Sequence, residues 1–393
     1  MKENWTYKKL GEVATFSRGL TFAKGDVADM SSKKVLRSNN IDLNSHSLNF
    51  DDVACLNEDF VIPDEKKLHK GDIFICMSNG STQHLGKVAF IEEDLDYALG
   101  GFMGAIHPNQ SETNPKFVFY ACLSSEYRRF LASVFNGVNI NNLKWSDLSK
   151  FSIPVPPLET QSRIVSELDL LQFIIDKQQA QLKELDKLAQ AVFYDMFGDP
   201  VENEKGWEVK KMEEVCYGIG DGLHGTPQYD PNGLYAFING NNLIDGRITI
   251  TDRTLFVNDA EAQKIFITMD TNTILLSING TLGKTAIYNN EKIVLGKSAC
   301  YCKLKDVLSA KFVLSLMNTQ KFQLFLENHS SKSTIKNVGL KAIRNYKIIL
   351  PSLSLQQSFA AKIESIEKQK SAISQSIAET QKLFNYTMDK YFG

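Results

Sequence analysis

The chain has 393 residues, of which 43% are hydrophobic and 23% are charged, and its formal net charge is −2. These proportions are typical of globular domains, so we expect two or three folded domains rather than a disordered chain. A protein that binds DNA alone and strongly usually carries a basic excess. Any DNA binding here must therefore rely on local patches or on a more basic partner.

Membrane and metal-dependent classes are disfavoured. No run of about 18 apolar residues occurs, so we expect no membrane span, and the polar start of the chain does not predict a signal peptide. The six cysteines include no CxxC pair, and the six histidines lack metal-ligand spacing. We therefore expect a cytoplasmic protein with reduced, buried thiols rather than disulfides or a metal site.

The first part of the chain predicts a mixed α/β domain over residues 1–157, because short β-rich runs alternate there with turn clusters. The run Asp72–Met77 indicates a buried strand, and Asn79-Gly80 indicates the turn that ends it. Aromatic residues recur near helical spacing over Pro115–Val134, so one helix is expected in that range.

A long helix is predicted over residues 158–199. No Gly or Pro occurs from Leu158 to Phe197, and apolar residues recur in alternating steps of four and three, as in the seam of a coiled coil. The seam residues are Ile164, Leu168, Leu171, Ile175, Leu182, Leu185, Ala189, Val192 and Met196, with Gln178 as the polar interruption. Amphipathic helices that each pack on their own domain are the alternative, although forty residues is long for that use.

The second half of the chain repeats the first. Trp5–Val13 returns as Trp207–Val215, a displacement of 202 residues, and the displacement falls to 195 where Gly198 matches Gly393. Such a period is too long for a solenoid, whose units run about 20–50 residues. A duplicated domain is therefore predicted.

The second copy predicts a domain over 200–351 and a second long helix over 352–393. We expect Thr273–Ser277 to form a buried strand and Ser309–Asn328 to form a helix. The seam of the long helix is carried by Phe359, Ile363, Ile366, Ile373, Ile377, Phe384 and Tyr391, with Lys370, Thr380 and Thr387 as polar interruptions.

The short connection from Gly198 to Trp207 favours antiparallel helices. A span of about 36 helical residues covers roughly 54 Å, whereas the connection reaches at most about 30 Å. In a parallel arrangement the second domain would have to bridge almost the whole helix. We therefore expect an α+β protein with two domains at opposite ends of an antiparallel coiled coil, related by a pseudo-two-fold axis.

Two glycine-rich stretches look like phosphate-binding motifs but lack their context. Gly220–Gly225 fits GxGxxG, yet two prolines follow where the dinucleotide fold requires a helix. Gly283-Lys284-Thr285 is like the end of a P-loop, but Ile278 stands where its first glycine is required. The Asn/Asp-Pro-Pro-aromatic motif of amino-methyltransferases is absent from the sequence, and no nucleophile–base arrangement stands out, so we expect no catalysis by this chain.

In their order, these features make the chain resemble the specificity (S) subunit of type I restriction-modification systems over essentially its whole length. Each half opens on Trp-x-x-x-x-Leu/Met-x-Glu-Val and carries an Asn-Gly…Leu-Gly-Lys turn. Gly222–Pro227 and the entry into the first long helix, Ile153–Gln161, also match. The second entry departs by losing one proline, at Ser352.

The resemblance implies a non-catalytic subunit with two target-recognition domains, each of which reads one half of an asymmetric, interrupted site in double-stranded DNA. It also implies two methyltransferase (M) subunits bound to the chain and restriction/translocase (R) subunits in the full complex. S-adenosylmethionine, ATP and magnesium would belong to these partners, with no cofactor on this chain. The helices would act as a spacer, and about 54 Å corresponds to one to two turns of DNA at about 34–36 Å per turn.

Contacts to DNA are expected from polar and basic side chains in the loops, because Arg, Lys, Asn, Gln, Ser and Thr bind base edges and phosphates. In the first copy the candidates are Arg18, Lys24, Arg37, Asn39, Asn79, Ser81, Thr82, Gln83, His84, Lys87, Asn139 and Lys144. In the second copy they are His224, Thr226, Tyr229, Asn241, Asn279, Thr281, Lys284, Lys332 and Lys336. Ser81–His84 is inserted relative to Thr281, so the two domains should differ there.

Other functions stay open at this point. The same architecture could serve another methylation-based defence system, or form a coiled-coil scaffold whose domains bind proteins. A stand-alone methyltransferase is a third possibility. Salt-sensitive binding to duplex DNA separates DNA recognition from scaffolding, and binding of S-adenosylmethionine by the isolated chain would favour the enzyme.

Overall fold

The protein is described here by a computed structural model, which covers residues 5–43, 45–135 and 142–393. The chain divides into two compact units, the first formed by Met1–Gln178 with Ser376–Gly393 and the second by Gln179–Gln375. Each unit contains one α/β domain and a segment of each of two long helices. In the described residues, no helix is both long enough and apolar enough to cross a membrane.

The domain of the first unit is built on three sheets. Its strands are β1 (Thr6–Lys9), β2 (Ala14–Arg18), β3 (Val27–Ala28), β4 (Lys34–Leu36), β5 (Ala54–Leu56), β6 (Lys67–Leu68), β7 (Ile73–Cys76), β8 (Val88–Phe90), β9 (Leu95–Leu99), β10 (Met103–Pro108) and β11 (Ser152–Val155). The sheets have the orders β1-β11, β2-β10-β7-β8 and β3-β5-β4-β9-β6. Every residue of β7 is buried, which explains its unbroken apolar sequence and confirms the predicted strand.

The helices of the first unit lie between these strands and at the end of the domain. They are α1 (Leu10–Val13), α2 (Pro115–Ala121), α3 (Ser125–Phe135) and α4 (Trp145–Leu148), followed by the long α5 (Leu158–Phe197), which continues into the second unit.

The second unit repeats the four-stranded sheet. Its strands are β12 (Glu208–Lys211), β13 (Cys216–Asp221), β14 (Tyr235–Ile238), β15 (Leu243–Ile244), β16 (Arg247–Ile248), β17 (Phe256–Val257), β18 (Thr273–Ser277), β19 (Thr285–Ile287), β20 (Ile293–Leu295), β21 (Ala299–Leu304) and β22 (Lys347–Leu350). The order β13-β21-β18-β19 matches β2-β10-β7-β8 strand for strand, and β12-β22 matches β1-β11. The predicted strand Thr273–Ser277 is confirmed as β18.

The helices of the second unit follow the same plan. They are α6 (Met212–Val215), α7 (Asp259–Ile265), α8 (Ala310–Met317), α9 (Gln320–Asn328) and α10 (Leu340–Asn345), followed by the long α11 (Leu353–Phe392), which continues into the first unit.

The single helix predicted in each domain is wrong, because two shorter helices occupy each range. Ser124 separates α2 from α3 and accepts a hydrogen bond from the Tyr127 N–H at 3.1 Å. Thr319 separates α8 from α9 and accepts one from the Phe322 N–H at 3.3 Å. Each hydroxyl caps the start of a new helix, so the backbone turns where aromatic spacing alone suggested continuity.

The two long helices pack on each other in antiparallel fashion within each unit. In the first unit Glu167 pairs with Tyr391 and Gln178 pairs with Ser376. Residues later in α5 therefore contact residues earlier in α11, as expected for antiparallel helices. In the second unit Asp186 pairs with Lys370, and the ring of Phe197 contacts that of Phe359. The seam residues Ile164, Leu168, Ile175 and Ile366 are buried, which confirms the coiled-coil prediction.

A buried glutamine fixes the start of each long helix to its domain. Gln161 and Gln356 are both 0% exposed. The Gln161 side chain accepts from the Asn114 N–H at 2.8 Å and donates to the Glu112 and Pro156 carbonyls. Gln356 makes the matching set with the backbone of Ser309, Val307 and Pro351. Each helix is thus held rigidly at its entry, since every polar atom of the amide is used.

Candidate nucleic-acid interface

In the first unit, the strand order brings several polar loops to one edge of the four-stranded sheet. Because β10 runs antiparallel to both β2 and β7, the ends of β2 and β7 meet the start of β10. There the N–H groups of Met77 and Ser78 donate to the Phe102 carbonyl at 2.9 and 3.0 Å, and the Leu143 N–H donates to the Met77 carbonyl. The loops after β7, before β10 and before α4 therefore form one surface.

A short turn after β4, Ser38–Asn40, joins the same surface. The Asn79 amide donates to the Ser38 hydroxyl at 3.1 Å. Asn40 is 1% exposed; its side chain accepts from the Arg37 N–H and donates to the carbonyls of Asn49 and Asp52. Asn40 is therefore structural, whereas the neighbouring Asn39 is exposed.

Arg37 and Asn39 are both bound to one acidic residue. The Arg37 Nη2 lies 3.1 and 3.2 Å from the two carboxylate oxygens of Asp52. Asn39 Nδ2 donates to the Asp52 carboxylate at 2.9 Å and to its carbonyl at 3.0 Å. The three side chains form a single exposed cluster, which we call the Arg37 cluster.

The inserted segment Ser81–His84 forms a turn beside Asn79. The Ser81 N–H donates to Asn79 Oδ1 at 2.9 Å, and Thr82–His84 form one 3-10 turn. Thr82 and Gln83 are exposed, and His84 is half-buried with no hydrogen-bond partner for its Nδ1 in the described part of the chain. Thr82 and Gln83 are the members of this segment best placed to meet a ligand.

Lys87 is used inside the first domain. Its Nζ donates to the Ile41 carbonyl at 3.0 Å, and burial lowers the pKa of this amine below its ordinary value. Lys87 therefore links the turn after β4 to the loop after β7 and stabilises their arrangement.

The other candidates of the first unit have simpler settings. Arg18 ends β2 opposite Gly104, and Lys144 follows the loop residue Leu143; both are exposed. Lys24 is exposed in a separate turn before β3, and no described contact joins it to the polar surface. Asn139 lies outside the described residues.

The second unit forms the corresponding surface. The Ile278 N–H donates to the Ser298 carbonyl at 3.1 Å, just as Ser78 does to Phe102, and the Gly280 N–H donates to the Lys336 carbonyl at 2.9 Å. The Ser298 hydroxyl accepts from the Gly240 N–H and donates to Asn239 Oδ1. Loops after β14 and β18 and before β21 and α10 thus meet in one place.

The turn Gly240–Asn242 repeats the first unit's turn. Asn242 is 8% exposed, accepts from the Asn239 N–H and donates to the Thr249 carbonyl and the Thr254 hydroxyl. Asn241 is exposed next to it. An open groove beside this turn is lined by Asn241, Arg253 and Lys284, among others, so two cations border it.

The glycine-rich stretch Gly220–Gly225 does not form a nucleotide fold. It ends β13, and no helix follows it in residues 222–230. A Cβ on Gly222 would lie 2.0 Å from the Leu295 carbonyl oxygen, so close packing of backbones requires this glycine. His224 Nε2 is 2.8 Å from the Asp221 carboxylate, and the exposed Tyr229 packs edge-on against Phe237.

The remaining candidates of the second unit are placed around these loops. Thr226, Thr281, Lys332 and Lys336 are exposed, and Asn279 and Lys284 are half-buried. Asn279 forms a backbone bridge to Asn337, which places it next to Lys336. Gly283 has a φ of 82°, a conformation that suits glycine, so backbone geometry accounts for a glycine at this position.

Three exposed residues of these surfaces were missed by the sequence analysis. Phe102 is 72% exposed at the turn before β10, and Lys297 is exposed at the equivalent turn before β21. Arg253 lines the groove beside Asn241. Aligning the two copies at Gly100 and Gly296 would have marked the first two, because the residues that follow each glycine differ in type.

Across the described ranges, no set of three or more His, Cys, Asp or Glu side chains could hold a metal ion. All six cysteines are free and five are buried, and burial raises the pKa of the Cys122 thiol to about 12. The loops can therefore donate and accept hydrogen bonds and offer positive charge.

Known proteins share this organisation. The family described as "Type I restriction modification DNA specificity domain" matches residues 2–187 and 204–381. The StySPI specificity subunit of Salmonella potsdam is 22% identical over 93% of this chain and 82% of its own length. The EcoKI specificity subunit of Escherichia coli K12 is also 22% identical, over 100% of this chain and 89% of its own.

Solved structures show the same fold. A chain of a type I R-M system studied for its complex assembly and conformational transition has a TM-score of 0.59 at 21% identity, with 99% of this chain and 98% of that chain covered. The type I S subunit from M. genitalium has a TM-score of 0.58 at 14% identity, with 99% and 96% covered. With both halves matched, the chain belongs to the type I restriction-modification DNA specificity family.

Proposed function

We propose that this chain is the specificity subunit of a type I restriction-modification complex and selects DNA sequences without catalysing a reaction. Residues 1–157 and 200–351 would be the recognition domains, each reading one half of a bipartite, asymmetric site. The duplication carries the proposal, because each copy of the specificity domain brings polar loops together at the same edge of its four-stranded sheet.

The balance of charge supports a shared binding site. Residues 1–150 carry 17 basic and 19 acidic groups, while residues 201–350 carry 18 and 15. Neither domain has the basic excess of a protein that holds DNA alone. Two M subunits would therefore supply part of the phosphate contact, and R subunits would join them. S-adenosylmethionine, ATP and magnesium would be bound by these partners, in the cytoplasm.

The test is to express the chain with its M partner and map methylated adenines in the host DNA. The expected result is a motif of two short specified segments separated by an unspecified gap. Binding of the purified complex to that site should weaken steeply between 50 and 200 mM salt, because phosphate contacts release counterions. A motif in one continuous block, or no methylation with an M subunit shown to be active, would overturn the proposal.

The long helices are proposed to set the gap. Each runs for 40 residues, 158–197 and 353–392, and contributes one segment to each unit. One heptad added to α5 near Gln178 and one to α11 near Ser376, where the helices pair, lengthens the coil by about 10 Å. The gap should then grow by about three base pairs with both half-sites unchanged. An unchanged gap in a folded variant would show that the helices do not set the spacing between the half-sites.

The helices also offer a surface for the M subunits. Leu170 and Phe173 on α5 and Leu383 and Tyr386 on α11 are large, apolar and exposed. Contiguous exposed apolar patches mark protein interfaces, and Leu170 and Phe173 are neighbours on one helix face because they lie three residues apart. Replacing Leu170 and Phe173 together by Ser should weaken co-purification with the M subunit. Gln179→Ser and Lys183→Ser, at exposed positions of the same helix, serve as the matched control, and equal co-purification of both double variants would contradict this role.

A further inference from the structure

We infer that Arg37 reads a guanine base in the half-site of the first domain and that Asp52 is the residue that positions it. This inference rests on the proposed DNA-specificity function and assigns one subsite within it. It identifies the class of base recognised at one point of the polar surface.

The backbone around Arg37 is held by hydrogen bonds to neighbouring elements. The Leu36 carbonyl accepts from the Gly100 N–H at 2.8 Å, and the Arg37 N–H donates to the buried Asn40 side chain at 2.8 Å. Further along, the Ser38 hydroxyl is held by Asn79 and the Ile41 carbonyl by Lys87. A base-reading side chain needs such a platform, because a small displacement of its origin breaks a bidentate contact.

The guanidinium is anchored through one nitrogen. Its Nη2 contacts both carboxylate oxygens of Asp52, and the Asn39 amide donates to that same carboxylate. The Arg37 side chain is 45% exposed and that of Asp52 76% exposed. Within the described ranges Nη1 and Nε have no hydrogen-bond partner. Nη2 carries two N–H groups, so its second N–H can form a two-donor fork together with Nη1 or Nε. Guanine offers O6 and N7 as paired acceptors in the major groove, which match this fork.

Charge separates base reading from phosphate binding. A carboxylate beside Arg37 cancels most of its positive charge, so the pair would release little counterion and would repel a phosphate on the Asp52 side. An arginine kept for phosphate contact gains nothing from such a neighbour. An arginine that reads a base must present its donors in a defined position. The Asp52 carboxylate of the Arg37 cluster provides this positioning.

The second domain lacks this arrangement and is an internal comparison. Asn239 stands in the place of Arg37 before the equivalent turn, and its side chain is bound by Ser298. The buried Asn40 donates to the backbone carbonyl of Asp52, whereas the buried Asn242 donates to the side-chain hydroxyl of Thr254. The guanine requirement assigned to Arg37 should therefore affect only one half-site.

The experiment uses the complete chain with its M partner and duplexes based on the mapped site. Arg37→Ala, Arg37→Lys and Asp52→Asn are compared for the dissociation constant on the cognate duplex and on every single-base substitution in both half-sites. Each guanine of the first half-site is also replaced by 7-deazaguanine. Arg253→Ala in the second domain is the matched control, and thermal unfolding confirms that each variant is folded.

We expect Arg37→Ala to weaken cognate binding roughly 5- to 150-fold and to abolish discrimination at one G·C pair of the first half-site. Arg37→Lys should lose the same discrimination although it keeps the charge, and Asp52→Asn should relax it partly with the salt dependence unchanged. 7-Deazaguanine at that pair should weaken the wild type but not Arg37→Ala. Arg253→Ala should leave the first half-site intact.

Uniform weakening on all sequences together with a salt slope reduced by about one would mean a phosphate contact and overturn the inference. Unchanged binding of Arg37→Ala, or a first half-site without guanine, would also overturn it. Each of these outcomes is compatible with a bipartite methylation motif for the wild type. Loss of the proposed function itself would instead appear as the absence of that motif before any variant is tested.

Discussion

In both domains a buried asparagine holds an equivalent turn, but the loops around it present different side chains. Asn40 and Asn242 fix equivalent turns through two kinds of hydrogen bond. Each side chain accepts from the backbone N–H three residues earlier and donates to a backbone carbonyl of the facing loop. The facing loop contributes the backbone carbonyl of Asp52 in the first domain and the side-chain hydroxyl of Thr254 in the second.

The comparison separates framework from recognition. The amides that recur in both copies at Gln161 and Gln356 are buried and fully hydrogen bonded. Residues at equivalent positions that differ between the copies, such as Phe102 in the first domain and Ser298 in the second, lie where the loops meet. A polar residue repeated in both copies therefore indicates shared structure, and sequence choice should be sought at exposed positions where the copies disagree.

The largest expected difference lies at the ends of the long helices. Phe197 packs against the rings of Phe193, Phe312 and Phe359 at 5.2, 4.7 and 5.1 Å, whereas its counterpart Phe392 has a ring contact with Phe117 at 4.8 Å. Phe197→Ala should lower the free energy of unfolding by about 3–5 kcal/mol, and Phe392→Ala by an amount near the lower end of that range.

Urea unfolding measures both variants, because tryptophans report on each unit. Trp207, whose indole donates to the Phe197 carbonyl at 2.8 Å, follows the second unit, and Trp145 follows the first. Single-tryptophan versions give the two transitions separately. Equal losses for both variants would show that the aromatic cluster adds nothing beyond the burial of one ring.

The two entry glutamines should behave alike. Gln161→Ala and Gln356→Ala each leave one partly buried backbone N–H, of Asn114 or Ser309, without its acceptor. Each should lower the free energy of unfolding by about 1–3 kcal/mol, measured by urea unfolding of the unit concerned. Gln179→Ala, at an exposed helix position, is the control and should change it by less than about 0.5 kcal/mol. Clearly different losses of unfolding free energy for the two variants would mean that the two glutamines do not have the same structural role.

Periodic features of the fold were predictable from sequence, because repetition averages over local exceptions. The seam from Ile164 to Ile175 and the strands β7 and β18 follow from spacing and unbroken apolar runs. The break between α2 and α3 was not predicted, since it depends on a single hydroxyl. Ser124 ends one helix and caps the next, and aromatic spacing continues across it.

The site was predictable as a set of loops but not residue by residue. Asn39 and Asn40 are adjacent and identical in type, yet only the fold shows that one is exposed and the other buried. Asp52 was not predicted, because an acidic side chain repels DNA phosphates and its contact with Arg37 is visible only in the fold. Phe102 was overlooked because aromatic residues are usually buried. Tertiary contacts, not local sequence, decide each of these cases.

A smaller and sharper contrast is expected within each asparagine pair. Asn40→Ala removes three hydrogen bonds of the turn and should lower the free energy of unfolding by about 1–2 kcal/mol. Asn39→Ala should leave stability unchanged within about 0.5 kcal/mol but weaken binding to the first half-site. Asn242→Ala and Asn241→Ala should repeat the pattern on the second half-site. Thermal unfolding and DNA binding measure the two effects, and a stability loss for Asn39→Ala equal to that for Asn40→Ala would refute the division.

The smallest effect concerns the polar interruptions of the seam, which differ between the units. The first unit pairs Gln178 with Ser376 at 2.7 Å, and the second pairs Lys370 with Asp186 at 2.8 Å. Because the Asp186 carboxylate is largely exposed, solvent screens this ion pair. Lys370→Met should change the free energy of unfolding by about 0.2–1 kcal/mol, with the difference shrinking in 1 M salt. Lys362→Met, on an exposed position of the same helix, is the control. A salt-independent loss above about 3 kcal/mol would mean that Lys370 acts as a buried charge that fixes the pairing of the helices.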